Sequence, residues 1–107
     1  MSDKVKVFTS RDMEFENLSK NHLVLVDFWA TWCGPCRMMA PVIGELASEL
    51  PDVVFAKLNV DENPDVVMDL GIQAIPTLIL YKDGEIVERV VGVSAKQALK
   101  AIIEKAR

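Results

Sequence analysis

The sequence holds 107 residues, half of them apolar, with a formal net charge of -4. That length suits one domain over residues 1–107 with its own core and leaves no room for a second. No run of Lys or Arg tracks phosphates, and no apolar stretch reaches the roughly 20 residues of a membrane helix, which excludes nucleic acid and membrane as partners.

Met1-Ser2-Asp3-Lys4-Val5 lacks the basic end and apolar stretch of a signal peptide. The expectation is a protein that stays where it is made, in the reducing cytoplasm. Residues 4–8 are a short strand candidate with Val5 and Val7 on one face, and residues 11–20 read as a weakly periodic helix. Residues 23–29 form a continuous apolar run, the mark of a central strand buried on both sides. A helix over 34–50 follows, with Cys36, Met39, Ala40, Ile43, Leu46, Ala47 and Leu50 on one stripe and Pro41 expected to kink it. Residues 53–60 are rich in β-branched and apolar side chains and predict a strand; a short helix around 64–70 stops at Gly71. Residues 77–82 and 86–91 flank Asp83-Gly84, a two-residue hairpin turn. The last helix opens with Ser94 and Gln97 at capping-box spacing and puts Leu99, Ile102, Ile103 and Ala106 on one face. The order is βαβαβ, then αββα. It predicts an α/β domain: a central mixed five-stranded sheet with four helices on its two faces.

The only two cysteines stand three positions apart, in Trp32-Cys33-Gly34-Pro35-Cys36. A bond this local closes almost no loop and adds little stability through chain entropy, so chemistry explains it better. A zinc half-site is the bland alternative, but the chain offers two Cys and the distant His22 where zinc wants four ligands. Cys33 directly precedes the helix, where free N–H groups and the helix dipole favour a thiolate. It is expected to be the exposed nucleophile, and Cys36, on the apolar stripe, the more buried resolving thiol. Pro35 lacks an N–H where none is needed and stiffens the link between the sulfurs. Asp27 interrupts the apolar strand. It is either a residue at the strand's wet end or a buried carboxyl with a raised pKa that accepts a proton, with Lys57 as its partner. Ile75-Pro76-Thr77 opens the fourth strand, a tolerated place for proline. Trp29 reads as core and His22 as a surface loop residue.

Together, residues 26–37, Pro41, residues 57–61, Ile75-Pro76-Thr77, Lys82-Asp83-Gly84 and Gly92 resemble the thioredoxin family over essentially the whole chain. The resemblance implies a parallel β1-β3-β2 core, an antiparallel β4-β5 hairpin and a cis bond before Pro76. It implies a docking surface of Trp32, Gly34, Pro35, Val60, Ile75, Pro76, Gly92 and Val93. It implies a monomeric electron carrier of cell redox homeostasis, a protein-disulfide reductase with no bound cofactor. Thioredoxin reductase would recycle it, with clients such as ribonucleotide reductase, methionine sulfoxide reductases and peroxiredoxins. Ala74 stands where the family often has Gly, Met13 where Phe is usual, and Gly44 lies inside the long helix. One rival is an oxidant or isomerase of the same fold, against which Pro35 argues. Another is a binding module in which the thiols are incidental.

Overall fold

Residues 5–7 and 19–107 are described by the structure, a computed structural model. Six residues set the centre of the sheet: Val24–Trp29 (β2) is apolar apart from Asp27, and five of its six side chains are buried. Such a strand needs cover on both faces and neighbours on both edges. It pairs in parallel with Val54–Asn59 (β3) and antiparallel with Thr77–Lys82 (β4). Val5–Val7 (β1) joins β3 in parallel, and Glu85–Val91 (β5) closes the other edge against β4. The order β1-β3-β2-β4-β5 is the mixed five-stranded sheet expected from the sequence.

Alternation along β2 sorts the core into two layers. Leu25 packs with Phe55, Leu78 and Leu80 against Met39, Ile43 and Leu46 of Gly34–Glu49 (α1) and Leu99 and Ile103 of Lys96–Ala106 (α3). Val24, Val26 and Phe28 face the other way, with Val66 and Leu70 of Pro64–Leu70 (α2). Asp27 shares the Leu25 parity and so looks toward α1.

Residues 11–18 of the predicted first helix lie outside the described residues, and Ser19 and Lys20 form a turn. Three α-helices stand among the described residues. The α1 stripe is buried as its spacing predicts, except for Ala40, which is exposed at the stripe's edge. The helix runs on through Pro41, whose missing N–H leaves the Arg37 carbonyl without its intrahelical donor. The third strand stops at Asn59, and Val60–Glu62 form a 3-10 turn. Gly71 caps α2 with φ 66°, and Asp83 and Gly84 turn the hairpin with φ 55° and 83°, as a two-residue loop of this hand requires.

The capping box is not formed. Ala95 is the N-cap of α3 and no side chain caps it. Ser94 is instead drawn into the loop before the helix, where its N–H is bonded to Met39.

Candidate active site

The site begins at the N-terminus of α1. Cys33 is the N-cap, extended at φ -89° and ψ 107°, and Gly34 and Pro35 make the first turn. The Cys36 N–H donates to Cys33 Sγ at 3.2 Å, so an unpaired helix donor is aimed at a sulfur. No acidic residue stands in that first turn to oppose negative charge there. Cys33 and Cys36 are joined by a disulfide with their Cα atoms 5.3 Å apart. Sequence reasoning expected Cys33 to be the more exposed of the two. In this disulfide form both are buried to the same degree, 4% exposed. The reason lies outside the motif: Ala30, Trp29, Val60 and Ile75 pack around the pair from three other segments. The difference between the two cysteines is therefore one of helix position, not of exposure.

Those same segments bring Val60 and Ile75 of the predicted surface against the disulfide. Ile75–Pro76 is cis, with Ile75 half-buried against the cysteines and Pro76 buried. Gly92, at φ 91°, donates its N–H to the Pro76 carbonyl at 2.8 Å. Val60 packs beside the disulfide; Trp32 and Pro35, which flank Cys33 in the chain, are exposed, and so is Val93. A Cβ at Gly34 would meet only Arg37 Nη2, at 4.0 Å, so packing does not demand glycine there.

Three residues beyond the predicted set, Asp61, Asn59 and Arg37, hold this surface. Trp32 Nε1 donates to Asp61 Oδ2 at 2.8 Å, and Asn59 fixes Asp61 by accepting its N–H at 2.9 Å. Arg37 Nη1 donates across the loop to the Thr31 carbonyl at 2.8 Å. An Asn two residues before an Asp is a turn-forming signal, but its link to Trp32, 29 residues away, is not written locally.

Asp27 is 5% exposed, and its Oδ1 has no hydrogen-bond partner among the described residues. Burial pushes its carboxyl from 3.8 up to about 7, with the positive charge of Lys57 pulling the other way. Lys57 is its register partner on β3, and Lys57 Nζ lies 5.0 Å from the centre of the Trp29 ring. Asp27 and Lys57 line a cavity of about 730 Å³ with Ala40, Pro41 and Ile43 of α1. The wet-end alternative for Asp27 is thus set aside. Trp29 is half-buried beside the cysteines, and His22 is an exposed loop residue.

A family model described as Thioredoxin matches residues 5–105. A thioredoxin of Mycobacterium bovis is 50% identical over 101 residues, covering 92% of this chain and 87% of its own. One of Listeria monocytogenes is 47% identical over 95 residues, covering 88% and 92%. The crystal structure of a thioredoxin from Nicotiana alata superposes with a TM-score of 0.89 at 46% identity, over 100% of this chain and 96% of that one.

Proposed function

The chain belongs to the thioredoxin family and is a thiol–disulfide oxidoreductase acting by dithiol–disulfide exchange, and from that premise we propose a division of labour among its residues. Cys33 is the attacking thiol. Its sulfur stands at the helix N-terminus and receives the Cys36 N–H, an arrangement that favours the thiolate once the pair is reduced. This single observation carries the assignment. The Cys33 thiolate attacks one sulfur of a client disulfide and expels the other as a client thiolate. Cys36 then gives up its proton and attacks Cys33, which releases the second client thiolate and leaves the Cys33–Cys36 disulfide. Two electrons from a partner restore the dithiol.

Asp27 is the acceptor for the Cys36 proton, directly or through a water. A carboxyl near 7 takes and returns a proton at neutral pH, and the cavity beside it gives that proton a path to solvent. Lys57 limits the rise of the Asp27 pKa. Gly34 and Pro35 set and stiffen the turn between the two sulfurs, and Trp32, Val60, Ile75, Pro76, Gly92 and Val93 form the surface on which a client lies.

Thioredoxins act with disulfide-bearing clients. For this chain the donor is a thioredoxin reductase, and the clients belong to the ribonucleotide reductase, methionine sulfoxide reductase and peroxiredoxin classes. It works as a monomeric single domain in the cytoplasm, as an electron carrier of cell redox homeostasis. Among the described residues no helix is long and apolar enough to cross a membrane. Reduction of insulin disulfides tests this reading. The parent chain turns insulin over and Cys33→Ser does not. Full cellular function in a chain lacking both cysteines would replace it with a binding role.

A further inference from the structure

Building on the docking role proposed for Val93, we infer that Met39 is a positioning residue whose thioether holds the 92–94 loop in place for the client. Met39 lies on α1 three residues after Cys36 and is fully buried. Its sulfur accepts the Ser94 N–H at 3.4 Å. Two residues earlier, the Gly92 N–H is held by the Pro76 carbonyl at 2.8 Å. Val93, 50% exposed, sits between these two anchors. One anchor belongs to the segment beside the cysteines and the other to the helix that carries Cys36. The loop is thereby tied to both halves of the disulfide site.

The atom matters as well as the volume. Leu or Ile would fill the same space but would leave the half-buried Ser94 N–H without an acceptor. A thioether offers a soft, weak acceptor on an otherwise apolar side chain, so one residue serves both core and loop. The same anchor accounts for the start of α3. With its N–H committed to Met39, Ser94 has no donor left for the Gln97 side chain, the reciprocal half of a capping box, and the helix begins two residues later behind Ala95 with no side-chain cap.

Met39→Leu tests this, because a volume-conserving swap leaves the fold in place. Amide hydrogen exchange reads the two anchors separately. The Ser94 amide should exchange about five-fold faster than in the parent, while the Gly92 amide keeps its rate. For insulin, KM should rise about three-fold with kcat unchanged, and the rate with cystamine, a disulfide too small to need the loop, should not move. Unchanged Ser94 exchange with unchanged KM overturns the inference. So does equal acceleration at Ser94 and Gly92, or equal loss toward insulin and cystamine, since either reports a generally loosened core. A parent chain that turned over neither disulfide would sink the docking role itself, whereas Ser94 exchange would still report the Met39 anchor.

Discussion

Asp27 and Glu49 are both carboxylates with a lysine close by, and the fold drives them in opposite directions. Asp27 lies under α1, paired in register with Lys57 but without a hydrogen bond to Oδ1 among the described residues. Desolvation dominates there and its pKa climbs to about 7. Glu49 stands on the outside of α1, where Lys96 reaches it at 2.6 Å and Lys100 at 3.3 Å. Those hydrogen bonds hold its carboxyl below the ordinary value. Lys96 also reaches Glu45 at 3.1 Å, so the cluster ties α3 to α1. A lysine alone therefore does not decide the state of a carboxylate. Water does: its loss at Asp27 outweighs the nearby charge, and its presence at Glu49 lets the lysines bond while screening their worth.

The strongest way to break this comparison is Asp27→Asn. A folded pKa near 7 against 3.8 means the unfolded chain loses its proton first. The parent is therefore penalised progressively as pH rises above 3.8, and fully once pH exceeds about 7. At about 1.4 kcal/mol per unit, Asp27→Asn should be more stable than the parent by about 4 kcal/mol at alkaline pH and equal to it near pH 3. Urea melts across pH measure this. Release of the client should meanwhile slow more than the first attack.

A smaller effect is expected from placing a new charge where α1 begins. Pro35 is exposed in the first turn. Pro35→His adds an imidazolium beside Cys33, stabilising its thiolate and so the reduced form. The equilibrium constant with glutathione should move toward the oxidant side by about tenfold, or roughly 30 mV. The smallest effect belongs to Glu49→Gln. Its contribution is present above the ordinary carboxylate value of 4.5 and is lost as pH falls through the lowered folded value. The variant should lower the urea midpoint slightly at neutral pH, and the difference should vanish near 1 M salt, where screening acts within about 3 Å.

What the sequence made legible follows from how local each signal is. The Asp83-Gly84 turn and the Gly71 cap rest on backbone preferences of the residues themselves, and both are seen. Asp27 stood out because a carboxyl amid Val, Leu and Phe breaks a buried strand. Ser94 misled because a capping box assumes the loop is free to offer its side chain, and this loop is held by Met39 and Pro76. The burial of Cys33 was equally hidden. It depends on Trp29, Val60 and Ile75 meeting in space, as the Trp32–Asp61 bond depends on the 3-10 turn after β3. Met39 read only as a core stripe residue, since helical spacing reports burial and says nothing of what a sulfur accepts.

The assignment of Cys33 as attacker and Cys36 as resolver is tested most directly by mass spectrometry after incubating each reduced single variant with a disulfide peptide. Cys36→Ser should accumulate a stable mixed disulfide on Cys33, because nothing remains to resolve it, while Cys33→Ser should form none. Stable adducts on Cys36 of Cys33→Ser, with none on Cys33 of Cys36→Ser, would contradict the account.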